Sequence, residues 1–110
     1  MADRPIVNIV VTQCQLQDEE KFNTWYDTVH IPLLLKSGKV LEVTRYKVID
    51  NDIMLPRYIA IYKHASLKDF QDFEKTPAFD EAMKEMAATW GDRCRVLSTA
   101  QHELLNEFKG

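Results

Sequence analysis

The chain has 110 residues, a formal net charge of −3 at pH 7, and 45 % hydrophobic against 28 % charged residues. Eleven aromatic residues, with many Val, Ile and Leu, can fill a core, which excludes a disordered chain. No basic block offers the positive patch a general nucleic-acid binder needs to release counterions, and no apolar run approaches the roughly 20 residues that cross a bilayer. The length reads as a single domain over residues 1–110. The opening Met-Ala-Asp-Arg-Pro lacks the charged-then-apolar pattern of a signal peptide, so a cytoplasmic protein with neither nucleic-acid nor membrane partner is expected.

Ile6 to Thr12, IVNIVVT, reads as the first strand. Val7, Ile9 and Val11 share one face; Asn8, Val10 and Thr12 share the other, so neither face is simply solvated. A helix follows. Asp18, Glu19 and Glu20 suit the positive end of its dipole, and Phe22, Trp25, Tyr26, Val29 and Leu33 recur at helical spacing. Pro32 lacks an N–H and restricts Ile31, so it should stop or kink this helix and leave His30 at its last turn. Ser37-Gly38 is the exit turn.

Val40 to Ile49 is the second strand, Asp50-Asn51-Asp52 a turn cluster, and Arg57 to Lys63 the third strand. The short connection makes these two strands an antiparallel pair. Ser66 opens the next helix, with Asp69 at capping-box spacing and Leu67, Phe70 and Phe73 as its apolar stripe. Thr76-Pro77 restarts the helix. Phe79, Ala82, Met83, Met86, Ala87 and Trp90 form a long stripe read as core, and Gly91 ends it. Arg95 to Leu105 is the fourth strand, of mixed polarity.

Strand, helix, strand, strand, helix, strand is the ferredoxin-like βαββαβ order, an α+β fold whose antiparallel sheet carries helices on one face. The first three strands bear apolar or aromatic residues on both faces, so a second layer must cover the other one. The cheapest layer is a second copy, which predicts a two-fold homodimer with sheets packed face to face. In this order the end of the first strand lies beside the start of the last, which makes Cys14 and Cys94 neighbours. Outside any Cys-x-x-Cys pair, they read first as two reduced thiols and second as a redox-sensitive pair.

The stretch from Phe22 through Trp25-Tyr26 to His30-Ile31-Pro32-Leu33, the turn at Gly38 and Thr44-Arg45-Tyr46 resemble the EthD-like branch of the dimeric α+β barrel superfamily. They also resemble small bacterial relatives sharing a His-Ile-Pro-x-Leu-Leu segment. The Thr76-Pro77-Ala78-Phe79 restart resembles a segment of the same proteins, and the likeness spans roughly residues 6–105. It implies a dimeric α+β barrel whose ligand occupies the cleft between helices and sheet. The superfamily's reactions range from isomerisation and cyclisation to cofactor-free oxygenation and haem degradation, so fold alone does not select a chemistry.

His30 is the leading catalytic candidate, because an imidazole with an ordinary pKa near 6.5 exchanges protons near neutrality. Tyr26 lies one turn earlier and can share its face, so a Tyr–His pair could donate to and take protons from a carbonyl or phenol-like molecule. Asp27 could orient the imidazole or be solvated. Arg45 and Tyr46 alternate, so only one of them can face a given pocket. Arg45 is a candidate for a carboxylate or a dimer-rim salt bridge, and Tyr46 a proton donor. Trp25, Tyr58 and Tyr62 are candidate ligand contacts. The last two share a face near Asn8 and Thr12, where dimer packing is the favoured reading. His64 and His102 form no ligand spacing with each other or with His30; no metal and no cofactor is expected.

The reading is a small-molecule-binding protein, acting if it is an enzyme by cofactor-free acid–base chemistry on a small apolar or aromatic compound. The alternative is a non-catalytic homodimeric module in which His30-Ile31-Pro32 is a helix-end brace. A pocket that leaves His30 reachable favours the first; two satisfied ring nitrogens favour the second.

Overall fold

A computed structural model describes residues 4–50, 52 and 54–110. Asn51 of the turn cluster and the first three residues of the N-terminal segment lie outside this range. In chain order the elements are β1 (Ile6–Cys14), a 3-10 turn (Leu16–Asp18), α1 (Glu19–Trp25), a π-helical segment (Tyr26–His30), α2 (Ile31–Leu35), β2 (Glu42–Lys47), β3 (Arg57–His64), α3 (Leu67–Phe73), α4 (Pro77–Trp90) and β4 (Cys94–Glu103). The four strands form one antiparallel sheet in the order β2-β3-β1-β4.

The local signals act where they stand in the sequence. Ser66 Oγ accepts the Asp69 backbone N–H at 3.1 Å, and Thr76 Oγ1 accepts that of Phe79 at 3.2 Å, so each helix start satisfies one of its orphan donors. Gly38 and Gly91 carry the positive φ angles (71° and 56°) that end α2 and α4.

Two elements depart from expectation. Pro32 does not end the first helix. The backbone widens into the π turn Tyr26–His30 just before it and continues as α2 to Leu35. A proline ring collides with the carbonyl four residues back and removes one hydrogen bond; the wider turn absorbs that mismatch without a break. β2 is also shorter than Val40–Ile49, with Val48 N–H still bonding Arg57 O at 2.9 Å beyond its end.

The helices lie on one face of the sheet. Between the layers Phe22, Trp25, Tyr26, Leu34, Phe70, Phe73, Ala82 and Trp90 meet Tyr58, Ala60 and Tyr62. Phe22 is fully buried, with Trp25, Tyr26, Tyr58 and Trp90 all within 5.5–5.9 Å of its ring centre. Burial of such a ring contributes about 2–3 kcal/mol. Among the described residues no helix or second sheet covers the opposite face, where Val7, Ile9 and Val11 of β1 and Ile59 and Ile61 of β3 are half-buried. No helix among the described residues is long and apolar enough to cross a membrane.

Candidate functional site between helices and sheet

Alternation along β1 turns Asn8, Val10 and Thr12 toward the helices, and the register sets Asn8 opposite Tyr62 and Thr12 opposite Tyr58. Above Asn8, Val10 and Thr12 lies a cavity of about 160 Å³. Its floor is completed by Tyr62 and by Val96, Thr99 and Gln101 of β4. Its roof comes from Tyr26, His30 and Leu34 on the first helical stretch, from Phe70 and Phe73 on α3 and from Phe79, Met83 and Met86 on α4. Glu74, exposed, stands at its rim.

His30 is 4 % exposed. Its ring stacks on Trp25 at 4.8 Å and meets the edge of Tyr26 at 4.9 Å. Its Nδ1 is sealed and has no hydrogen-bond partner among the described residues. Burial pushes its pKa down to about 4, so the ring is neutral at pH 7; the Glu85 carboxylate opposes that shift. Trp25 Nε1 donates to Glu85 Oε1 at 2.8 Å, which fixes the indole against which the imidazole lies.

Tyr26 and Tyr62 share a hydrogen bond between hydroxyls at 2.5 Å. Burial raises both; Tyr26 reaches about 12, so both phenols stay protonated. Across the floor, Gln101 Nε2 donates to Asn8 Oδ1 at 2.9 Å.

The remaining candidates separate. Trp25 backs His30 rather than lining the cavity. Arg45 does face the helices, but it sits behind the site: its guanidinium covers the Tyr26 ring at 4.3 Å and bonds Asp27 Oδ1 and Asn23 Oδ1, each at 2.9 Å. Asp27 therefore holds Arg45, not the imidazole, in an ion pair within the chain. Tyr46, one residue on, points to the open face and is 54 % exposed, away from the cavity. Tyr58 and Tyr62 are 4 % and 3 % exposed beneath the helices, which corrects the reading that placed them in dimer packing. Tyr58 lies outside the cavity lining, accepting from Asn23 Nδ2 at 3.0 Å and donating to Glu19. His64 is buried, its Nδ1 at 2.7 Å from Lys39 O. Cys14 and Cys94 are direct cross-strand neighbours, both free and buried. No three His, Cys, Asp or Glu side chains among the described residues converge as metal ligands.

Sequence reasoning set Asn8 beside Tyr62 but missed Glu85 and Gln101, the amide that bonds Asn8. It assigned Met83 and Met86 to core alone, whereas they also wall the cavity. The available signal was in β1, where Asn8 and Thr12 sit at alternate positions on the face that also carries Val10.

A four-stranded antiparallel sheet with helices on one face defines an α+β, ferredoxin-like fold, which the chain shares with an EthD family protein and with proteins described as dimeric ferredoxin-like. Residues 6–104 match the family described as a domain of unknown function, DUF4286, and the chain belongs to that family. Among solved structures it is similar to an EthD family protein from Bacillus halodurans (14 % identity, TM-score 0.67, covering 91 % of this chain and 99 % of that one). It is similar to a dimeric ferredoxin-like protein from an uncultured marine organism (14 %, 0.71, 96 % and 99 %). It is also similar to a provisionally assigned antibiotic biosynthesis monooxygenase from Nitrosomonas europaea (12 %, 0.64, 96 % and 94 %). At these identities the likeness is one of fold. No curated protein matches the chain.

Proposed function

We propose that this protein binds a small, largely apolar molecule in the cavity between helices and sheet, with His30 as the group that handles its proton. The observation that carries this reading is an imidazole in the cavity lining whose sealed Nδ1 has no protein partner. A helix-end brace would engage that nitrogen with a carbonyl freed by Pro32. The ring is neutral at pH 7 and meets a bound molecule through Nε2, the ring nitrogen that is not sealed. The Tyr26–Tyr62 hydroxyls beside it can hydrogen-bond a developing oxyanion. These parts suit a cofactor-free acid–base step such as isomerisation, cyclisation or oxygenation of an activated ring.

The protein acts as a homodimer in this reading, its open sheet face packed on that of a second copy. The half-buried Val7, Ile9, Val11, Ile59 and Ile61, with Tyr46 beside them, supply the apolar centre such an interface needs. The marine relative's description as dimeric supports the same arrangement.

The test is an NMR titration of His30, assigned with His30→Ala, with and without small phenols, lactones and ketones. The expected result is a ring that stays neutral down to about pH 5, in line with its lowered pKa, and whose signals move when one class of compound is added. A ring that ignores every compound, in a protein whose His30→Ala variant melts early, would make His30 a brace and overturn the proposal.

A further inference from the structure

Two features of the polar corner concern where its hydrogens point. The first is the sealed Nδ1 of His30. It has no acceptor and no donor among the described residues. An orphaned buried N–H is rarer than an orphaned acceptor, so the single proton of the neutral ring belongs on Nε2. That is the nitrogen left for cavity contents to meet. The second is a proton count. Two hydroxyls, Tyr26 and Tyr62, carry two hydrogens, and their shared bond uses one. The other has no protein acceptor among the described residues, and both side chains line the cavity. Tyr26 and His30 are one helical turn apart with rings 4.9 Å apart, so the spare hydroxyl proton and the Nε2–H serve one corner.

We infer that this corner is a two-donor cradle for a carbonyl oxygen, and that the cavity selects an uncharged, single-ring carbonyl compound over its carboxylate and hydrocarbon counterparts. Charge points the same way. Among the described residues no Lys or Arg lines the cavity and the Glu74 carboxyl stands at its rim; the Arg45 guanidinium lies behind the Tyr26 ring and is already bonded to Asp27 and Asn23, so an entering anion finds no direct cationic partner to offset its desolvation. Size sets the limit: a cavity near 150 Å³ holds about one benzene ring, and this one is about 160 Å³. Phe70 and Phe79 supply flat apolar walls and Met86 an adaptable one. The inference rests on the proposed cavity-binding function and narrows its ligand.

The experiment uses three probes of similar shape on the full chain: acetophenone, its hydrocarbon analogue cumene, and benzoate. Binding is followed by NMR titration, and long-range proton–nitrogen spectra report which His30 nitrogen is protonated. The expected results are an Nε2-protonated ring and acetophenone binding about tenfold more tightly than cumene or benzoate, the step that one or two hydrogen bonds supply. In the Tyr26→Phe/Tyr62→Phe variant that preference should fall several-fold while cumene affinity stays. His30→Gln, with an amide in place of the ring, should lower it independently. A proton on Nδ1, or cumene binding as tightly as acetophenone, overturns the two-donor cradle while leaving the cavity a binding site. Failure of all three probes to move any cavity signal overturns the cradle and the binding function together.

Discussion

The two faces of the sheet follow one alternation along the same strands, yet their chemistry is reversed from what their surroundings suggest. The face beneath the helices carries Asn8 and Thr12 on β1 and the hydroxyls of Tyr58 and Tyr62 on β3. The face without a layer carries Val7, Ile9 and Val11 against Ile59 and Ile61. Buried polar groups cost free energy unless they are bonded; here Tyr58 bonds Asn23 and Glu19, Tyr62 bonds Tyr26, and Asn8 accepts from Gln101. On the proposed reading, the covered polar groups mark the ligand site and the uncovered aliphatic face marks where a second copy packs.

The largest expected effect breaks the open face. Ile61→Asp puts a carboxylate where two apolar sheets would meet, and an unpaired buried charge costs about 3–5 kcal/mol. Sedimentation should show wild-type dimers at micromolar concentration and monomers for the variant, with an unchanged far-UV spectrum. A wild-type monomer under those conditions would remove the need for a second layer.

The covered face is sharpened by pH. Burial lowers the His30 pKa from 6.5 to about 4 in the folded protein. Below pH 6.5 the unfolded chain therefore binds a proton that the folded chain refuses, and stability is lost as pH falls from about 6.5 toward 4. The loss is roughly 3 kcal/mol at its full extent. His64, also lowered by burial, adds to the same slope. Urea midpoints measured from pH 7 to 4 should decline in the wild type and decline less in His30→Gln. Equal slopes would mean that the imidazole titrates freely in the native state.

The smallest effect concerns the sheet end. Burial pushes the Cys14 thiol up to about 11 and raises Cys94 as well. Iodoacetamide, which alkylates the thiolate, should leave both unmodified at pH 8 in the folded protein and modify both in denaturant. Rapid labelling of the folded chain would show this sheet end to be open.

Much of the architecture was legible in the residues. The order of elements, both helix caps, the Thr76-Pro77 restart, the adjacency of Cys14 and Cys94 and the unbalanced sheet follow from alternation, helical spacing, turn chemistry and the strand order they imply. The site was legible only in part. His30, Tyr26 and Tyr62 do share one cavity, because helical spacing joins the first two and the polar strand face points to the third. Tyr46 and Arg45 could not be ordered, since alternation states that two neighbours differ in face without stating which face the helices cover. Glu85 was invisible for the same kind of reason: its role comes from an indole sixty residues away in sequence.

What the sequence by itself determined is the set of local choices: which segments pair as strands, where helices begin and end, and that both sheet faces demand cover. Only the tertiary structure decided which face the helices took, how Pro32 was accommodated by a wider turn rather than a break, and which polar groups met across the cavity. Local propensities involve neighbours in the chain, whereas the docking of helices on a sheet depends on the summed fit of side chains from every element at once.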